Sequence, residues 1–161
     1  MIVVSDTTVL STLFLMGRLD WLEQLFGQVI IPQSVFNELL ELESFGHDVS
    51  VFKKASWFVV ESASNQQLIA DFSKELDLGE SEAIVLALEK KADFLLIDER
   101  KGTRKATELG LQTIGLLRVV IELKDRKIIS VVRPYLDAMR QTGGFWISDR
   151  LYSKVLESAG E

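Results

Sequence analysis

Residues 1–8, M-I-V-V-S-D-T-T, and residues 93–100, D-F-L-L-I-D-E-R, share one pattern: a short apolar run that ends on an aspartate. Their β-branched and aromatic content marks Ile2–Ser5 and Asp93–Ile97 as strands. A strand that runs into a small polar turn needs no acid there, so Asp6 and Asp98 call for a reason. Outward from these two stretches, apolar runs alternate with helical patterns. Gln28–Ile31, Trp57–Glu61 and Gln112–Gly115 read as three more strands. Helices are expected over 8–15, 19–26, 33–43, 65–76, 80–90, 101–109 and 117–126, with two more after Ser130 and Ser148 as caps. Pro32 suits the entry to a helix. Ser64 with Gln67, and Asp77 with Glu80, have the spacing of capping boxes. Gly110 is placed to end a helix. Strand and helix in alternation predict the α/β class: a three-layer α/β/α sandwich around a mainly parallel sheet of about 4–5 strands, with residues 1–161 as a single domain.

The composition excludes several chemistries. The chain has no cysteine and a single histidine, His47. Thiol catalysis and disulfides are therefore out, and a zinc site of the usual His and Cys ligands is not available. A cysteine-free chain with no apolar run of transmembrane length and no basic leader is expected to be cytoplasmic, away from membranes. Its formal net charge is -6. Such a chain gains no general attraction to nucleic acid, so a nucleic-acid substrate would need a local basic patch or cations held by the acids.

In a parallel sheet, ligands bind beyond the carboxyl ends of the strands. Asp6 and Asp98 both fall at that edge. If their strands are near neighbours, the carboxylates face one crevice, as a proton-sharing pair or as a site for a divalent cation. Two helix acids border apolar stripes. Glu38 has Val35 and Leu42 as helical neighbours, and Glu82 has Leu78, Val85 and Leu86. A carboxylate among apolar neighbours is costly unless something compensates it. Glu80 already has a use in its capping box, so Glu82 is the preferred third acid. Four oxygen donors without His or Cys suit Mg²⁺ or Mn²⁺. Arg100, Lys101, Arg104 and Lys105 follow directly after Asp98. On a helix they would form like-charged i,i+4 pairs, and they are the first candidates for phosphate contacts. Lys124, Arg126 and Lys127 form a second patch.

Each feature has a plainer reading. Asp6 is a good N-cap for helix 8–15, and Asp98 is placed to cap 101–109 loosely. Glu38 and the basic cluster fit solvated helix faces. His47 lies in a polar loop. Trp57, Phe145 and Trp146 read as core or interface residues rather than platforms for stacked bases.

Four pieces in order resemble the PIN-domain family, in its branch of stand-alone ribonucleases that includes toxins of toxin–antitoxin pairs. They are V-V-S-D-T-T, I-P-Q-S-V-F-N-E-L, L-G-E-S-E-A-I-V-L-A and D-F-L-L-I-D-E-R-K, with G-F-W-I-S-D-R-L-Y near the end. The resemblance implies metal-dependent endonucleolytic cleavage of RNA by Asp6, Glu38, Glu82 and Asp98. In that reading Asp6, Glu82 and Asp98 hold Mg²⁺ or Mn²⁺, and Glu38 binds metal or orients water. Thr7, Arg100, Lys101 and Arg104 would meet the substrate. Glu99, adjacent to Asp98, is the alternative for the fourth acid. The resemblance also implies a homodimer held by a small antitoxin, with Leu10–Leu15 and Phe36–Leu40 as candidate apolar surfaces. Two other functions compete: a PIN-like domain that binds RNA or protein without cutting, and a phosphohydrolase with Asp6 as nucleophile. The second usually carries another aspartate two positions later, where this chain has Thr8.

Overall fold

Val3 and Val4 are adjacent on the first strand and both are buried. Successive side chains of a strand point to opposite faces, so both faces of this sheet are covered. The structure is a computed structural model that describes residues 1–142 and 144–161. Its strands are β1 (Val3–Ser5), β2 (Val29–Pro32), β3 (Phe58–Glu61), β4 (Phe94–Leu96) and β5 (Thr113–Ile114). They form one sheet in the order β3-β2-β1-β4-β5, and every pairing is parallel.

The helices are α1 (Thr7–Leu15), α2 (Asp20–Phe26), α3 (Gln33–Leu40), α4 (Ser50–Lys54), α5 (Gln66–Phe72), α6 (Leu78–Lys90), α7 (Arg100–Glu108), α8 (Leu116–Asp125), α9 (Arg133–Gln141) and α10 (Asp149–Ser158). Val3, Ile31 and Leu96 join a core built with α1–α4 and α8–α10. Val4, Leu95 and Ile97 join a second core built with α5, α6 and α7. Two cores on opposite faces make the three layers. Leu95, Leu96 and Ile97 are each about 1% exposed or less. Full burial of side chains this size contributes roughly 1.5–3 kcal/mol apiece, which explains the unbroken apolar run of β4.

Several boundaries differ from the sequence reading. α3 stops at Leu40 and tightens into a 3-10 turn over Glu41–Phe45, ended by Gly46 at φ 86°. α4 was not expected. Asn65 rather than Ser64 caps α5, by accepting from the Leu68 N–H at 3.0 Å. The Ser64 N–H instead goes to Glu89 at 2.9 Å, so the Ser64/Gln67 box does not form. Val132, not Ser130, precedes α9. Ser148 does cap α10, and the Asp77/Glu80 box is complete. Leu10, Leu13 and Leu39 lie wholly in the core. Phe14, Leu15, Phe36 and Leu40 of the same two stretches are partly exposed. Among the described residues, no helix is long and apolar enough to cross a membrane.

The chain runs from β1 out to β2 and β3, then returns to place β4 on the other side of β1. The order thus reverses between β1 and β4, and a crevice opens there at the carboxyl edge. Ser5 pairs with Leu96 across it, and the Asp6 N–H donates to the Leu96 carbonyl at 2.9 Å.

Candidate active site

Asp6 leaves β1 at this crevice and is 1% exposed. It is the N-cap of α1, and its Oδ1 accepts from the Val9 N–H at 3.3 Å. Its Oδ2 is buried and has no hydrogen-bond partner. The cap accounts for one oxygen and leaves the other unexplained. Burial pushes the Asp6 carboxyl well above the ordinary range, against the pull of the Val9 bond, and the charges of Asp98 and Glu80 push the same way.

Asp98 lies just past β4, half-buried. It does not cap α7, whose N-cap is Glu99 with no side-chain bond. It reaches across to the start of α8 and accepts from the Leu116 N–H at 2.6 Å. Burial raises its pKa to about 6, the Leu116 bond lowers it, and Glu99 adds repulsion.

The third acid of the crevice is Glu80, not the expected Glu82. Glu80 closes its capping box through Oε2, which accepts from the Asp77 N–H at 3.2 Å. Its Oε1 is buried and without a partner. Burial first, then the Asp77 charge, pushes its pKa up to about 7, with Glu99 and Glu38 adding to the rise. Glu82 is also buried, but both its oxygens are used: Oε2 accepts from Ser34 N–H at 3.0 Å and Oε1 from Ala63 N–H at 3.4 Å. It ties α6 to the chain leaving β2 and β3. Residues two apart on a helix point about 200° apart, so only one of the pair can face β4. The sequence offered one signal for Glu80: a box needs only one of its carboxylate oxygens.

Glu38, on α3, is half-buried at the flank of this group. The Thr7 hydroxyl donates to its Oε2 at 2.8 Å. Burial raises its pKa and the Thr7 bond lowers it. Glu38 and Glu82 also line one groove with Ser34 and Leu78. Thr7 thus meets Glu38 directly. Three glycines crowd three of these carboxylates. A Cβ at Gly79 would stand 2.6 Å from Glu38 Oε1, one at Gly102 2.8 Å from Glu80 Oε1, and one at Gly115 2.9 Å from Asp98 Oδ1. The backbone approaches each acid more closely than any side chain would allow.

Among the described residues, no group of three or more Asp, Glu or His side chains has the spacing of a ready-made metal cage. Like charges stand apart unless a cation draws them in. The donor set nevertheless fits a hard cation: all oxygens, two of them buried and unpartnered, at one crevice.

The basic residues divide. Lys101, Arg104 and Lys105 line a cleft between α7 and the loop after α5, together with Lys74. Arg104 is exposed and lies 3.8 Å from Glu108, a weak pair. Lys105 rests over the Phe72 ring at 4.9 Å. Arg100 is exposed at the start of α7, outside the lining of that cleft. Two residues of the second patch are engaged by the fold: Lys124 binds the Ala159 carbonyl at 2.6 Å, and Arg126 binds Glu122 and the Leu25 carbonyl. Trp146 does not enter the core of the chain: it is 82% exposed beside Asp98 and Glu99.

Comparison with known proteins agrees with this architecture. A family model described as a PIN domain (DUF3368) matches residues 2–161. No curated protein and no solved structure matches the chain. PIN domains are generally nuclease-like and typically bind divalent metals. With a five-stranded parallel sheet, acids at its switch point and a family match over nearly its whole length, the chain belongs to the PIN-domain family.

Proposed function

We propose that this chain is a Mg²⁺- or Mn²⁺-dependent endoribonuclease whose site is built from Asp6, Glu80 and Asp98, flanked by Glu38. One observation carries the reading: Asp6 Oδ2 and Glu80 Oε1 are buried carboxylate oxygens with no partner in the protein. Leaving such groups unpaired is expensive, so a cation that engages them explains why they are kept. A divalent cation bound there supplies Lewis-acid polarisation of a phosphoryl oxygen and acidifies water.

The chain's own residues do the positioning. The Val9 N–H fixes Asp6, the Leu116 N–H fixes Asp98, and the capping box fixes Glu80. Each therefore presents its remaining oxygen without losing side-chain freedom on binding. Glu38, steadied by Thr7, is the group at the flank suited to orient the attacking water and take its proton. The raised pKa of Glu38 suits a proton acceptor. Hydrolysis breaks the phosphorus bond to the leaving ribose oxygen and leaves the water's oxygen on phosphorus. Lys101, Arg104, Lys105 and Lys74 offer the cations that an acidic chain needs to hold the rest of the strand. A role as the toxin of a toxin–antitoxin pair is part of this proposal.

The test is cleavage of a labelled RNA pool with Mg²⁺ or Mn²⁺, with EDTA, and with Asp6→Asn beside the wild type. Asparagine keeps the N-cap, so the variant is expected to fold. Cuts that need metal and vanish in the variant support the reading. No cutting by a folded wild type with either metal refutes it.

A further inference from the structure

Trp146 is the most exposed large apolar residue described in the chain, at 82%. Tryptophan is highly buried on average, and here its neighbours on both sides are tied down. The Phe145 N–H donates to the Met139 carbonyl at 3.0 Å, Ile147 is 4% exposed, and the Ile147 carbonyl accepts from Arg140 at 2.8 Å. The backbone therefore holds the indole out. It lines a hollow of about 430 Å³ with Phe145, Thr8, Ser11, Asp98 and Glu99. Asp98 also belongs to the proposed metal crevice, so the hollow and the crevice share that residue. Both ionisable groups lining the hollow are acidic, whereas the cleft along α7 carries four cations, Lys74, Lys101, Arg104 and Lys105, against two acids, Glu75 and Glu108.

The two flanks suit the two chemistries of a nucleic-acid strand. Phosphates suit the lysine and arginine cleft. A neutral ring with amino and amide donors suits an aromatic face opposite hydroxyls and carboxylates. We propose that Trp146 stacks a nucleobase next to the phosphate held at the Asp6–Asp98 crevice. A duplex keeps its base faces stacked and offers none to the indole. The proposal rests on the nuclease reading for the phosphate's place.

The test measures binding in Ca²⁺, a hard cation of looser geometry, so that it does not depend on cleavage. Wild type, Trp146→Ala and Trp146→Phe are compared on a short single-stranded RNA, the same strand with abasic sites, and a duplex. Trp146→Ala is expected to weaken single-strand binding by about 5- to 100-fold, the range spanned by base–aromatic stacking. Trp146→Phe retains most of the affinity, and the abasic strand binds wild type and Trp146→Ala alike. Equal affinity of Trp146→Ala and wild type for the intact strand overturns the proposal, as does failure of the wild type to bind any single strand. Loss of a dimer mass in Trp146→Ala, with strand affinity unchanged, overturns it in favour of a second copy on this surface. Stacking without cutting in Mg²⁺ or Mn²⁺ sinks the nuclease reading alone. Cutting that Trp146→Ala leaves intact sinks the stacking alone.

Discussion

Glu80→Gln removes one charge and almost no volume from the crevice, and its effect on the metal-free protein follows from the structure. The ordinary pKa of a glutamate here is 4.5, and burial beside Asp77 lifts Glu80 to about 7. A folded-state value above the unfolded one means that the native protein ionises Glu80 less readily. The resulting destabilisation is absent below about pH 4.5, grows as pH rises, and is complete above about pH 7. At about 1.36 kcal/mol per pH unit it reaches about 3 kcal/mol as a ceiling. Glutamine is neutral throughout, and its carbonyl can still accept from the Asp77 N–H. In EDTA at pH 8 the variant is therefore expected to be more stable than wild type by up to about 3 kcal/mol. That is roughly 6–12 °C in Tm for a chain of this length. At pH 5 the gap should shrink to less than about 1 kcal/mol. Asp98, raised to about 6, adds a slope of the same sign in both proteins. Added Mg²⁺ or Mn²⁺ should stabilise wild type more than the variant. Cleavage should fall by at least about 10²-fold, the scale of losing one group that stabilises developing charge. The assay is thermal unfolding from pH 5 to 8, with and without metal. A variant less stable than wild type at pH 8 in EDTA, or a difference that ignores pH, refutes the reasoning and leaves Glu80 as a helix cap only.

Gly102→Ala places a Cβ 2.8 Å from Glu80 Oε1 and 2.7 Å from Ile97 Cδ1. Both are ends of flexible side chains, and alanine gains about 1 kcal/mol of helix propensity. Net stability should therefore change by less than about 1 kcal/mol, while cleavage drops about 10²-fold because Glu80 must move; unchanged kcat/KM with unchanged Tm would count against that role. Glu82→Ala deprives the Ser34 and Ala63 N–H groups of their acceptor. It should cost about 2–3 kcal/mol, seen in urea unfolding, with kcat per folded molecule preserved. Lost activity at an unchanged urea midpoint would return Glu82 to the metal site.

The layer order, the strand positions and the two acids at strand ends were legible in the sequence because they depend on local chemistry. A short apolar run bounded by polar residues reads as a strand from its own length and composition, and Asp6 and Asp98 fall just after such runs. Thr7 and Glu38 were legible as neighbours of a site, though not as partners of each other. Four things depended on the tertiary structure. Which strand lies beside β1 is set by crossovers that no local pattern encodes, and it is the β1–β4 pairing that brings Asp6 to Asp98. The choice between Glu80 and Glu82 is a choice of helix rotation. Periodicity shows that they face opposite ways, but only the docking of α6 on the sheet decides which faces β4. The reach of Asp98 to α8 and the glycines pressed against three carboxylates are long-range contacts. Trp146 has the composition of a core residue, and only the anchoring of Phe145 and Ile147 on either side turns it out to solvent beside the acids.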